Sequence, residues 1–466
     1  MSITELLRRE WTAFRTPGRL ISLAVAGLSV IAAGLLFAGA TSSSVSDTFW
    51  FRYQDLGRNG TITVRMTSMT GTITYPPPGH DQIVAGLVPW AKSGIIVKDG
   101  LRQGSRYAAL AMTGAHGVRF QHDYVHDVAG SAARTPRWLR LTRSGDTVTG
   151  SESADGEQWR VVGTAELKGL QETVQVGLFA TSPGDLTLRK TGLGGAIDQV
   201  RFTQAVGVFD HVTVEGGTGG WNSRSVGEMN HTDWEKFHNA SGAVEKDGVV
   251  TISGTGDIGP IGEGGARGVE KALSGLVIAL IVVLVVAARY GARETPRRVL
   301  AARTVLIGSA TFVTGLLAAG IVVETTQLPT YVRVVAGVAT ALALCAVFSY
   351  GLGAWLRRGW AAILIGLTLV AVPYAVTAVP LLPDEIADWL LRLTPAAGFA
   401  VKQTVVAYPQ VTAHYAPSAG YFPLPGWAGL LVLGAYAAAA TLLAVSRGFP
   451  GSATRRPPGS PRGSSG

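Results

Sequence analysis

The chain has 466 residues, is 47% hydrophobic but only 15% charged, and carries a formal net charge of +9. That basic balance excludes a nucleic-acid binder of the usual kind, because Arg and Lys are divided among many short segments instead of gathered on one soluble surface. A single cysteine, Cys345, excludes an intramolecular disulfide framework.

Residues 1–19 predict a cytoplasmic amphipathic helix. Ile3, Leu6, Leu7, Trp11 and Phe14 share one face, with Glu5, Arg8, Arg9 and Thr12 elsewhere, the pattern of a basic helix lying along a membrane surface. The first apolar span follows, Leu20 to Ala38 within residues 20–40. Ala38-Gly39-Ala40 would also suit signal cleavage, but the apolar core exceeds the roughly 7–15 residues of a signal peptide. The span is therefore expected to be retained.

Residues 41–205 read as strands. Short runs rich in β-branched and aromatic residues fall at Thr61–Met66, Gly94–Lys98, Tyr107–Met112, Gly117–His122, Trp138–Arg143, Trp159–Val162 and Val174–Ala180. Turn signals separate them, among them Arg58-Asn59-Gly60, Ser144-Gly145-Asp146 and Ala154-Asp155-Gly156. Many short strands imply two packed antiparallel sheets, an all-β sandwich or jelly roll. Residues 206–270 read as a strand-rich continuation and linker. Trp90, Trp138 and Trp159 are candidates for stacking on sugars, against the plainer reading of tryptophans in a sandwich core. Glu152, Asp155 and Glu157 are of the type paired in glycoside hydrolysis, but they are expected on one turn, where acidic residues are ordinary. His122-Asp123-Tyr124-Val125-His126-Asp127 offers metal-ligand types four apart; between strand and loop it reads as a solvated polar loop. No metal, cofactor or catalytic constellation is expected.

Five further apolar spans come at about Ala272–Ala288, Thr304–Val323, Val334–Leu356, Trp360–Val379 and Trp427–Val445, each near the roughly 20 residues that cross a bilayer. Residues 271–446 thus complete a six-helix transmembrane domain, and residues 447–466, rich in Pro, Gly, Ser and Arg, form a disordered tail. Arg8, Arg9, Arg15 and Arg19 precede the first span, Arg289 to Arg303 crowd the second-to-third connection, Arg357 and Arg358 follow the fourth, and Arg447, Arg455, Arg456 and Arg462 follow the sixth. By the positive-inside rule both termini are cytoplasmic and residues 41–270 lie outside. None of the six apolar cores contains Asp, Glu, Lys, Arg or His, although a proton- or ion-coupled carrier needs an ionisable group there. The chain has no Gly-Lys dipeptide and so no phosphate-cradling loop. If it moves a substrate, the energy comes from another subunit.

The stretch from Ala287 through Tyr290, Arg293 and Arg297 to Arg303 resembles the second-to-third connection of actinobacterial ABC-2 type transporter permeases. Where that family often carries an acidic residue before the tyrosine, this chain has Arg289. The resemblance implies that Arg293, Glu294, Thr295, Pro296, Arg297 and Arg298, with Leu7 and Trp11 of the N-terminal helix, form the coupling surface for a cytoplasmic ABC ATPase subunit. A basic loop that only fixes topology is the plainer reading of the same residues. Between the last two spans, Asp384 with Ile386, Trp389, Leu390 and Leu393 at helical spacing, then a second apolar run to Val406, resemble the short re-entrant or interfacial pair of those permeases (residues 383–406). The segments Pro89–Gly94, Pro136–Gly145 and Ser153–Trp159 resemble the concanavalin A-like lectin/glucanase superfamily. The resemblances imply a permease subunit of an ATP-driven exporter in a bacterial plasma membrane, paired with a second copy or paralogue, with an extracellular glycan as a further partner. The alternative is a membrane-anchored lectin-like module that binds polysaccharide or a protein without transporting.

Overall fold

The computed structural model describes residues 3–36, 45–74, 82–190, 196–229, 240–260, 272–293, 296–326, 331–378, 382–403, 406–411, 417 and 420–447. The predicted tail, residues 447–466, lies outside them from 448 onward. Two separate bodies of apolar core emerge, one helical and one of strands, and their buried clusters share no residue.

The helical body begins with α1 (Ile3–Phe14) and α2 (Pro17–Leu36). Pro17 sits at the first turn of α2, where its missing N–H costs nothing. After the strands come α3 (Leu276–Gly291), α4 (Arg297–Thr326), α5 (Tyr331–Leu356), α6 (Gly359–Ala378), α7 (Asp384–Leu393), a 3₁₀ helix (Pro395–Lys402) and α8 (Gly426–Arg447). Among the described residues α2, α4, α5, α6 and α8 are long and apolar enough to cross a membrane. Helix α3 has 16 residues, about 24 Å at 1.5 Å per residue and short of a bilayer core. Residues 273–275 just before it form a turn, with Gly275 already in the helical conformation and its carbonyl accepting the Ala279 N–H at 3.0 Å. Helix α5 is the hub, packed against α3, α4 and α8. Its crossing with α3 is close: a Cβ on Gly291 would lie 2.2 Å from the Tyr350 carbonyl, and one on Gly353 would lie 2.3 Å from that of Ala288. Small residues here let the backbones meet, as membrane helices commonly require.

The strand body holds β1 (Val45–Asp47), β2 (Phe49–Thr74), β3 (Ile83–Ala85), β4 (Lys92–Lys98), β5 (Tyr107–Thr113), β6 (Val118–His122), β7 (His126–Ala129), β8 (Arg137–Ser144), β9 (Thr147–Ser153), β10 (Arg160–Glu166), β11 (Val174–Thr181), β12 (Asp185–Lys190), β13 (Ala196–Val226), β14 (Gly242–Lys246), β15 (Val249–Gly254) and β16 (Ile258–Pro260). Fourteen of these form one antiparallel network with the path β10-β9-β8-β2-β11-β4-β5-β6-β7. The sheet curls until β10 faces β6 and β7, enclosing a core that includes Leu56, Ile62, Val64, Ile95, Leu110, Phe120, Leu139, Leu141, Val176 and Leu178. Two strands serve both halves of the fold. β2 and β13, of 26 and 31 residues, pair along most of their length, with register shifts that bend them. Bulges of this kind add local twist and turn a strand through a corner. For the same reason Arg58-Asn59-Gly60, expected as a turn, is strand: Asn59 pairs with Ser144 and Gly60 with Arg143. Residues 206–226, expected in a continuation, belong to β13 and are built into the same network.

The chain enters and leaves the strand body through one ribbon. β1 pairs with β16, Val45 opposite Pro260 and Asp47 opposite Ile258. Two ion pairs, one fully buried and one half-buried, pin this ribbon to β4. Lys98 Nζ donates to Asp47 Oδ2 at 2.6 Å, and Lys92 Nζ donates to Asp257 Oδ1 at 3.0 Å. Asp47 also accepts the Tyr124 hydroxyl at 2.7 Å and the Gly104 N–H at 2.8 Å. Tyr124 reaches it from the β6–β7 hairpin, where Asp123 and Tyr124 both have positive φ. The segment expected as a solvated polar loop is therefore half structural. His122 and His126 flank its tip with stacked rings 4.4 Å apart, while Tyr124 closes the neck.

Candidate functional site

The arginine-rich helix ends gather at one end of the helical body. Arg357 donates to the Arg447 carbonyl at 2.9 Å, Arg447 to that of Trp355 at 3.2 Å, and Arg297 to that of Ser446 at 3.3 Å. Guanidinium donors at helix C-termini satisfy carbonyls that have no partner inside the helix.

Helix α1 is locked to this end. Its Phe14 is fully buried and meets the Tyr290 ring edge-on at 5.4 Å. Arg19 donates to the carbonyls of Ala13 and Phe14 at 3.0 and 3.1 Å, ending α1, and its guanidinium carbon lies 4.4 Å from the Tyr290 centroid. Arg303 of α4 approaches the same ring at 5.3 Å and donates to Glu10 Oε2 at 2.7 Å. Tyr350 of α5 completes the group, 5.6 Å from Tyr290. One tyrosine at the end of α3 thus joins α1, α2, α4 and α5, and the positive charge of Arg19 and Arg303 is offset by Glu10 and the ring faces.

Around this knot the predicted coupling residues are placed as follows. Arg293, Pro296 and Arg297 are exposed, with Pro296 accepting the N–H groups of Val299 and Leu300 at the start of α4. Glu294 and Thr295 lie outside the described residues, as does the side chain of Arg298. Leu7 is half-buried, whereas Trp11 is 45% exposed. The side of α1 that packs against the helical body takes in only part of the apolar face read from the sequence. It runs through Leu6, Glu10 and Phe14, and Glu10 is the residue that sequence reasoning missed. The signal was present: an acid with no basic residue three or four positions away on its own helix, and four residues before an aromatic. A second omission is Lys402. It is fully buried among helices, its ammonium donating to the Tyr374 hydroxyl at 2.8 Å, and it comes from the 3₁₀ segment instead of from a span.

On the strand body the three candidate tryptophans separate. Trp90 is buried and stacks on His116 at 4.0 Å, so it is part of the packing. Trp138 and Trp159 stand together, both half-buried, about the Ser153–Trp159 turn. A Cβ on Gly156 would fall 2.8 Å from the Trp138 ring, and the Trp159 indole N–H donates to the Gly156 carbonyl at 3.0 Å. Glu152 is not on that turn. It lies on β9, fully buried, accepting from Ser131 N, Arg137 Nε and Arg160 Nη2 at 2.8, 2.9 and 2.5 Å. Burial would raise its carboxyl pKa, but the Ser131 and Arg160 bonds outweigh it and lower the value. Asp155 does sit on the turn, its Oδ1 accepting the N–H groups of Gln158 and Glu157, which hold its pKa at about 2. These carboxylates are turn and strand fasteners. Among the described residues no group of three or more His, Cys, Asp or Glu could hold a metal ion.

No protein-family model matches the chain, and no curated protein does. Several solved structures share a part of it. Among them are a functionally unknown protein from Saccharomyces cerevisiae (15% identity, 36% of this chain and 74% of that one, TM-score 0.19), a mutant of the GH43 protein BlXynB from Bacillus licheniformis (13%, 34% and 28%, 0.20), and SCP-B, a member of the Eqolisin family of peptidases (9%, 45% and 98%, 0.26). At these TM-scores the likeness carries no argument about fold or activity.

Proposed function

We propose that the chain is the transmembrane permease subunit of an ATP-binding cassette exporter, energised by a separate cytoplasmic ATPase. In this reading α3 joins the five longer helices as a sixth span, α7 and the 3₁₀ helix form the re-entrant or interfacial pair, and the strand body is a concanavalin A-like jelly roll outside a bacterial plasma membrane. The observation that carries the reading is the Tyr290 knot. It ties α1 to the end of α3 and to α4, and Trp11, Arg293, Pro296 and Arg297 are exposed on those elements or next to them. A force applied to that surface reaches α2, α3, α4 and α5 at once. A cytoplasmic ATPase docked there has the mechanical connection that a permease needs, and the basic charge suits acidic counterparts. A second permease copy or paralogue would complete the path.

The test is a mild-detergent purification of the tagged protein from its native membrane, followed by mass spectrometry. A stoichiometric ABC ATPase is the expected result, lost in the double variant Arg297→Glu, Arg298→Glu while the protein still inserts. Intact permease recovered repeatedly without an ATPase, crosslinking included, refutes the reading and favours the alternative, a membrane-held lectin-like module. The paired Trp138 and Trp159 on the outer sheet face are what favours that second reading.

A further inference from the structure

The outward face of β8 carries Trp138, Arg140 and Thr142, alternating with Leu139 and Leu141, which enter the core. Arg140 lies at the middle of this face. Its register partners are Thr63 on β2 and Ser151 on β9, and beyond them stand Thr61, Thr142 and Thr149. The Arg140 guanidinium carbon is 3.7 Å from the centroid of Trp159, and Nε donates to Thr63 Oγ1 at 3.1 Å. A guanidinium stacked flat on an indole and held at Nε has already lost most of its rotamer freedom, and its remaining N–H groups form a fork suited to a planar or tetrahedral oxyanion.

The surrounding charges single this arginine out. Arg65 is neutralised by Asp210, while Arg137 and Arg160 share the single carboxylate of Glu152, which is in register with core-facing Leu139 and so not on the face of Arg140. Among the described residues Arg140 forms no ion pair, and the exposed acid of the adjoining strand, Glu215, stands at the margin opposite Thr61. The face therefore offers one ordered cation, a lattice of hydroxyls and two half-exposed indoles. Hydroxyls of both sides can exchange hydrogen bonds with a sugar, the uncovered indole surface can pack against its apolar C–H groups, and the guanidinium can donate to its acidic group. We propose that this face binds an acidic polysaccharide, a sugar polymer bearing carboxylate or phosphate, with Arg140 as the anion-binding residue and Trp159 as its support. The inference does not depend on the permease reading; either chain could carry such a face.

The full-length protein in lipid nanodiscs is tested by biolayer interferometry against polygalacturonate, poly(glycerol phosphate), neutral dextran and poly-glutamate. The expected result is saturable, salt-sensitive binding of one or both acidic sugar polymers and none of dextran. The two anionic probes distinguish a uronate source from a phosphate one. Arg140→Gln should weaken binding about tenfold or more, the usual worth of a charge-assisted bond. Arg140→Lys should lose most of it too, because an ammonium cannot lie flat on the indole. Arg102→Gln, in the β4–β5 connection, should bind as the parent does. The unfolding midpoint of each variant is measured alongside, and Trp159→Leu, which leaves the charge and removes its support, should also lose several-fold. Equal binding by parent and Arg140→Gln, equal loss in Arg102→Gln, or tighter binding of poly-glutamate than of either sugar polymer would overturn the proposal.

Discussion

Glu10→Ala should release α1 from the helical body without unfolding the rest. The Glu10 and Arg303 side chains are 8% and 17% exposed and 2.7 Å apart. Breaking a buried pair by removing one partner costs about 3–5 kcal/mol; with the Arg303 guanidinium partly solvated, about 2–3 kcal/mol is the better figure. The loss falls on α1 because Glu10 is its polar anchor and Phe14 its apolar one. Hydrogen exchange over residues 3–14 reads it directly: 2–3 kcal/mol at about 1.4 kcal/mol per decade is about a 30- to 150-fold loss of protection. Peptides from α5 should be unchanged. The double variant Glu10→Arg, Arg303→Glu should regain part of the protection, since the pair is restored in reverse. Unchanged exchange in Glu10→Ala, or a swap that behaves no better than either single change, would refute the account of α1 as clamped through Tyr290 and Arg303.

Two further outcomes concern the strand body. Lys98→Met strands the Asp47 carboxylate, whose side chain is 1% exposed, and should cost about 3–5 kcal/mol of strand-body stability by urea unfolding followed through tryptophan fluorescence. Adding Asp47→Asn should recover much of that loss, and a strictly additive double variant would show that the two groups do not interact. Acid should weaken the same body. The Arg65 guanidinium, opposed by burial and aided by His211, holds the Asp210 carboxyl at about 2, below its ordinary value. A lowered folded pKa gives stability that is complete above about pH 4 and lost as pH falls from there through 2. Solvent screening limits it to about 1 kcal/mol. Asp210→Asn should flatten the urea midpoint against pH between 5 and 2.5 by that amount; an unchanged slope would remove Asp210 from the explanation.

The apolar spans were legible because a bilayer imposes a length and a composition on any helix that crosses it, and the strands because β-branched and aromatic runs between turn signals have few other uses. The miscalculated places are those where a partner distant in sequence decides. Asn59-Gly60 reads as a turn, but the absent Cβ at Gly60 serves a close approach, with the Glu215 carbonyl 2.4 Å from where that atom would lie. Glu10 reads as a solvated charge until Arg303, 293 residues on, is placed against it. Helical periodicity left Glu10 unassigned, because hydrophobicity alone cannot see an ion pair take the place of an apolar contact. Arg140 and Trp159 have no sequence signal as a pair. Their meeting depends on the register of β8 against the turn that precedes β10, and register is a property of the whole sheet.

The β1–β16 ribbon makes the strand body separable from the helices. Paired ends lie side by side, which is the condition for inserting a domain into a connection without parting the elements on either side. The helices that flank it already meet without it: a Cβ on Gly275 would lie 2.1 Å from the Ser29 carbonyl, so α2 and the start of α3 touch backbone to backbone. The buried clusters of the two bodies have no common member, so each body has an apolar core of its own. Replacing residues 45–260 by a short Gly-Ser linker should therefore leave a bundle that inserts, that keeps its α1 exchange protection, and that retains any ATPase the parent purifies with. The excised residues 45–260, expressed alone, should fold to a cooperatively unfolding β protein, because both neck strands and their lysine partners travel with them. A bundle that aggregates while the isolated strand body folds would show that the insertion stabilises the helices, and the adjacency of β1 and β16 would then be a structural joint instead of a simple point of attachment.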